Sequence, residues 1–91
     1  MPDIRIAHAH DLPQEEARRA AREVAEQIAR DYQVEVEWNG DVMQFQRPGV
    51  NGLLVLAPNE ALVEVSLGFL FRSFAPVIEQ KLAAKMRKVF G

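Results

Sequence analysis

Between Val34 and Leu67, apolar and polar residues alternate in four short runs, and each junction carries residues that turn a chain: Asn39-Gly40, Pro48-Gly49 and Pro58-Asn59. A period of two puts successive side chains on opposite faces of an extended backbone, so this stretch predicts strands rather than helix. In the first run Val34, Val36 and Trp38 alternate with Glu35, Glu37 and Asn39. Asn39-Gly40 signals a two-residue type I′ hairpin, which would set Met43 and Phe45 of the next run, Val42 to Gln46, across from Val36 and Val34. The segment Arg47-Pro48-Gly49 breaks that strand, and Gly52 to Leu56 resumes with Leu54 and Leu56 inward. Val63, Val65 and Leu67 alternate with Leu62, Glu64 and Ser66 in the last run. Four strands joined by short turns predict an antiparallel meander.

The flanks read differently. Ile4, Ile6 and His8 share one face of a strand that precedes the meander. Asp11, with Gln14 three residues on and Pro13 in the first turn, reads as a capped helix start. Ala17, Ala20, Ala21, Val24, Ala25, Ile28 and Tyr32 then recur at spacings of three and four. On the other side of that helix Glu15 with Arg19 and Glu26 with Arg30 lie one turn apart, each pair worth roughly 0.2 to 0.5 kcal/mol. After Gly68 comes the aromatic segment Phe69-Leu70-Phe71-Arg72-Ser73-Phe74, then a second helix with Ser73 as its expected cap and Pro76 in its first turn. Ile78, Leu82, Met86 and Val89 or Phe90 make its apolar stripe, and Lys81, Lys85 and Lys88 its basic one. The order strand, helix, four strands, helix predicts an α+β two-layer fold, a curved antiparallel sheet of about five strands with both helices on one face.

At 91 residues the chain is expected to form a single domain over residues 1–91. Such a domain is held by roughly 5 to 10 kcal/mol, which pairing of two copies would naturally supplement. With no cysteine there is no disulfide, thiolate metal site or cysteine nucleophile. The first residues lack a secretory signal and no run reaches the ~18 apolar residues of a membrane span, so the expected location is the cytoplasm. The net charge of −2 is unevenly spread: residues 31–64 carry −5, and the segment from Arg72 onward carries +4. Such polarity can steer a protein to an anionic surface or pair two copies head to tail, and it can equally be two solvated faces.

His8 and His10 share a strand face, as a metal-binding or acid/base pair would. A zinc site needs at least three protein ligands, and there is no third histidine, so a strand-end pair with one ring partly buried is the better reading. Ser66 and Ser73 are the only serines, there is no threonine, and neither serine lies in a G-x-S-x-G elbow. The five glycines are scattered at turns and make no phosphate-cradling loop. Glu35 and Glu37 point the same way, toward water. The sequence pI near 5.6 weighs against nucleic-acid binding. No catalytic residue, metal or cofactor is therefore expected.

The aromatic segment carries what is left. Four of the five phenylalanines, Phe69, Phe71, Phe74 and Phe90, fall in the last quarter of the chain among Arg72, Lys81, Lys85, Arg87 and Lys88. Three rings and Leu70 within six residues are too many for one small interior, so part of this segment is expected to be exposed apolar surface, the mark of a contact site. Phe69, Leu70, Phe71 and Phe74 are the candidate anchors, with Arg72, Lys81, Lys85 and Lys88 around them.

The run Trp38-Asn39-Gly40-Asp41-Val42, then Phe45, Arg47, Gly49-Val50 and Gly52, then Leu67-Gly68 leading to Arg72, Phe74 and a helix ending in Phe90-Gly91, resembles the polyhydroxyalkanoic acid system proteins, also called the polyhydroxyalkanoate granule-region family. Ala17-Arg18 in the first helix agrees with it, and the resemblance spans essentially the whole chain. It implies association with polyhydroxyalkanoate storage, since members are encoded beside genes of polymer synthesis and utilisation in Gammaproteobacteria, and it carries over no catalytic residue. Three functions are compatible with these residues. The first is a non-enzymatic accessory protein of the granule surface or of granule proteins, docking through the aromatic and basic C-terminal segment. The second is a carrier or enzyme for a hydroxyacyl or lipid-like ligand, held between sheet and last helix in a pocket of about 300 Å³ or more, with His8 or His10 as polar contact. The third is a homodimerisation module acting through sheet edges or the aromatic segment.

Overall fold

The computed structural model describes residues 2–91. In chain order the elements are β1 (Ile4–Ala9), α1 (Gln14–Tyr32), β2 (Glu35–Asn39), β3 (Val42–Arg47), β4 (Val50–Ala57), β5 (Glu60–Leu67), a 3-10 turn (Arg72–Phe74) and α2 (Ala75–Phe90). The strands form one antiparallel sheet in the order β1-β5-β4-β3-β2, and both helices lie on one face of it, so the α+β two-layer architecture is as the sequence predicts. Strands β2 to β5 are the meander. β1 adds to β5 at the far edge, and α1 carries the chain back across the sheet to the β2 edge.

The turns follow their residue types. At Pro48-Gly49 and Pro58-Asn59, proline fixes the first central position while Gly49 (φ 87°) and Asn59 (φ 71°) take the positive φ that a type II turn needs at the second. The first hairpin differs from expectation. Its loop is Gly40-Asp41, because Asn39 pairs with Val42, and Gly40 alone takes a positive φ (64°), as a type II′ turn requires. Val36 therefore faces Phe45 and Trp38 faces Met43, a register two residues from the predicted one. A shift of two preserves which face each side chain occupies, so the core is unchanged.

Both predicted helix caps are corrected. Pro13, not Asp11, sits at the N-cap of α1 with no side-chain cap, and the Leu12 amide nearby donates to His10 Nδ1 (3.2 Å). α2 grows out of the 3-10 turn, where the Phe74 amide donates to the Phe71 carbonyl (3.0 Å), so carbonyls rather than Ser73 satisfy the first donors. The expected Glu15–Arg19 and Glu26–Arg30 pairs are not among the ion pairs of the described residues; Arg18 instead reaches Asp41 at 3.1 Å and ties α1 to the first hairpin.

The core lies between sheet and helices. Ala17, Ala20, Ala21 and Ala25 give α1 a flat inner face that lets it settle against the strands, with Val24 and Ile28 filling the spaces. Met43, Phe45, Leu54, Val63 and Ile4 meet it from the sheet, and Leu82, Met86 and Phe90 from α2. Burying each large side chain contributes about 1.5 to 3 kcal/mol. Phe45 lies across Gly52, its cross-strand neighbour, in the space that a side chain at 52 would occupy.

Candidate docking surface

The link from β5 to α2 is held at two points. The Gly68 amide donates to the Gly49 carbonyl (2.8 Å), and a Cβ at 68 would stand 3.2 Å from the Gly49 Cα, so the link is pinned to the β3–β4 turn by backbone contact. Phe71 and Arg72 amides then both donate to the Gly68 carbonyl (3.0 and 3.1 Å), closing a tight turn that leaves residues 69 and 70 at its apex. Apex side chains have nothing beneath them. Phe69 is 89% exposed and Leu70 79%, while Phe74 (54%) and Val77 continue the apolar surface onto the first turn of α2.

Phe71 turns the other way. Its ring packs on the bare backbone of Gly49, under the Arg47 guanidinium (5.5 Å to the ring centre), and joins the core margin. Arg47 Nη1 donates to the Tyr32 carbonyl (2.8 Å), so one arginine holds the end of α1, strand β3 and this ring together. Behind Phe71 lies an apolar hollow of about 40 Å³ lined by Ile28, Tyr32, Val50, Leu67, Ile78 and Leu82. Ligand pockets run to about 300 Å³ and above, so this hollow is the size of a packing defect and not of a hydroxyacyl group.

The basic residues do not ring the apex as one patch. Arg72 stands next to it but faces Asp3 (3.6 Å), whose other oxygen accepts from the Leu67 amide (2.7 Å). Lys81 and Lys88 are exposed and Lys85 half-buried along one flank of α2. Lys88 shares an open furrow with Glu16, Arg19 and Glu23 of α1, where two carboxylates face two cations and leave no net positive charge. Val77, which sequence reading missed, falls on the same flank as Phe74, and its signal was the helical spacing of three between them.

His8 and His10 sit at the opposite end of the sheet, against the C-terminal turn of α2. Their rings lie 6.3 and 5.1 Å from that of Phe90, which fills the space between β1 and the helix end. Nδ1 of His10 accepts from Leu12, and the Nε2 atoms of both rings are buried with no partner in the described residues. Neither histidine lines the hollow behind Phe71, and no group of three or more His, Cys, Asp or Glu side chains among the described residues could hold a metal. Burial, and then the neighbouring Asp31 charge, push the Tyr32 phenol above its ordinary value.

Fold and surface together define a small α+β protein with an aromatic loop braced against the β3–β4 turn and one sheet face that no element among the described residues covers. The chain belongs to the family described as putative polyhydroxyalkanoic acid system protein, whose model matches residues 4–90. No curated protein and no solved structure matches it.

Proposed function

We propose that this protein is a non-enzymatic accessory protein of polyhydroxyalkanoate storage that docks on the granule surface, in the cytoplasm, through Phe69 and Leu70 with Phe74 and Val77 beside them. The observation that carries the reading is the pair of large apolar side chains exposed side by side on a turn braced by Gly49 and Gly68. Two such residues held out in water have a use where they can be buried, and a hydrophobic polyester with an amphiphilic coat offers that. The membership of the polyhydroxyalkanoic acid system family supplies the context. No helix among the described residues is long and apolar enough to cross a membrane, so attachment would be from the surface. Arg72, Lys81, Lys85 and Lys88 assist as separate cations near an anionic coat rather than as a fixed ring. Cosedimentation with purified granules tests this: the protein should pellet with them, and a protein that stays wholly in the supernatant while a coat protein pellets ends the idea.

A further inference from the structure

No helix or strand among the described residues covers the second face of the sheet, and its centre is apolar. Strand β4 runs Leu53-Leu54-Val55-Leu56-Ala57 without a polar residue, the pattern of a strand covered on both sides, yet both helices pack on the side of Leu54 and Leu56. The pairing register lines up the residues of the other side in rows across the sheet. One row reads Ala7, Leu62, Val55, Val42 and Asn39 from β1 to β2, and the next reads Arg5, Glu64, Leu53, Gln44 and Glu37. Arg5 on the β1 edge is the one basic side chain of this face and stands 3.7 Å from Glu64 of β5, while Glu60 also lies on β5 and Glu35 and Glu37 lie on the β2 edge.

We infer that this face pairs with the same face of a second copy, about a two-fold axis that lies between the two sheets and runs parallel to the strands along β4. That operation puts the β1 edge of one copy over the β2 edge of the other and keeps each row over itself. Leu53 and Val55 then meet their own counterparts on the axis, Leu62 meets Val42 of the second copy, and Arg5 meets Glu37 of the second copy, twice by symmetry. Packed sheets cross at about 30°, and the length of Arg and Glu side chains absorbs the resulting offset at the rim. A two-fold perpendicular to the strands stacks every strand on itself and so sets β2 with Glu35 and Glu37 on β2, whereas the strand-parallel axis sets Glu64 over Gln44 and Glu37 over Arg5, so electrostatics favours the latter of these two. The seventeen outward positions of the five strands, at about 4.8 by 6.8 Å each, make a face of roughly 550 Å² per copy, which just reaches the ~1,000 Å² total of a specific but modest interface. This pairing does not depend on the docking role of the loop at residues 68–71.

The experiment is sedimentation equilibrium over a dilution series of the full chain up to about 1 mM. The mass should rise from 10.3 kDa toward twice that value. Leu62→Glu, at a half-exposed position that the fold leaves bare, should raise the dissociation constant about a hundredfold or more. Arg5→Glu and Glu37→Arg should each weaken pairing about tenfold, and the double exchange should restore it, because only the strand-parallel axis makes these two positions partners. A strict monomer at every concentration overturns the inference. So does a dimer indifferent to Leu62→Glu and to the charge exchange but lost on Phe69→Ser, which would place the interface at the aromatic loop.

Discussion

Three consecutive side chains of one loop should give two opposite phenotypes when removed. Phe69 and Leu70 make almost no native contact, so replacing both by serine should change the unfolding free energy by less than about 0.5 kcal/mol. On an apolar surface each side chain gains about 2 kcal/mol on leaving water, so the pair carries about 4 kcal/mol, near a thousandfold in the partition constant. Phe71 is half-buried over Gly49 and beside an existing hollow of about 40 Å³, which its loss would enlarge. Phe71→Ser should therefore cost about 2 kcal/mol of stability, less than the ~3 to 5 kcal/mol of removing a fully buried ring because Phe71 is only half-buried. Urea unfolding followed by Trp38 fluorescence gives the first quantity, and depletion of protein from suspensions of purified granules gives the second. If the Phe69→Ser, Leu70→Ser protein binds granules within about threefold of the parent, or unfolds as readily as Phe71→Ser, the separation of anchor from core on this loop is wrong.

Three further perturbations probe the frame. Gly52→Ala puts a methyl group into the Phe45 ring, so it should destabilise by about 1 to 3 kcal/mol in urea, with part of the loss recovered by adding Phe45→Leu; a neutral Gly52→Ala would refute the ring's placement. Gln33 ends α1 at φ 55°, so Gln33→Gly should stabilise by about 0.5 to 1 kcal/mol and raise the midpoint of thermal unfolding, whereas a lowered midpoint would contradict that backbone conformation. The Tyr32 phenol is held neutral by burial and by Asp31, so its folded value is raised. Its contribution is complete below the unfolded value near 10 and is lost as pH rises through the folded one. Phenolate absorbance should show late titration in the native protein and an earlier one in Asp31→Asn; titration at or below the ordinary value would contradict the packing.

What the sequence disclosed and what it hid follow physical lines. The strands were legible because Val34 to Leu67 repeats with a period of two and each break carries proline or glycine, and the faces survived the wrong hairpin register because the error was even. The caps misled because Asp11 and Ser73 are favourable cap residues in isolation, while here a 3-10 turn supplies carbonyls to α2 and His10 takes the amide near Asp11. Crowding of rings was a sound argument for exposure, yet it could not say which rings. Phe71 and Phe69 are chemically identical, and what separates them is the close approach of Gly68 to Gly49, a contact between residues nineteen apart in sequence. Phe90 was legible as core by helical spacing, but its seat between two histidines was not.

The two proposed surfaces have a joint consequence that fixes how strongly granules should be held. A two-fold axis parallel to the strands leaves both copies of the loop at residues 68–71 at the same end of the dimer, since the operation does not reverse strand direction. One loop worth about 4 kcal/mol is offset by the freedom lost on docking, which costs at least as much. The second loop of a rigid pair lands without that cost being met again, and avidity gains of about a hundredfold or more are usual for such linkage. Leu62→Glu, which leaves Phe69 and Leu70 untouched, should therefore weaken granule binding by about that factor once it has made the protein monomeric, and serines at 69 and 70 should leave the dimer intact. A monomeric Leu62→Glu protein that pellets as well as the parent would show that each loop binds alone, and the common direction of the two loops would then contribute nothing to attachment.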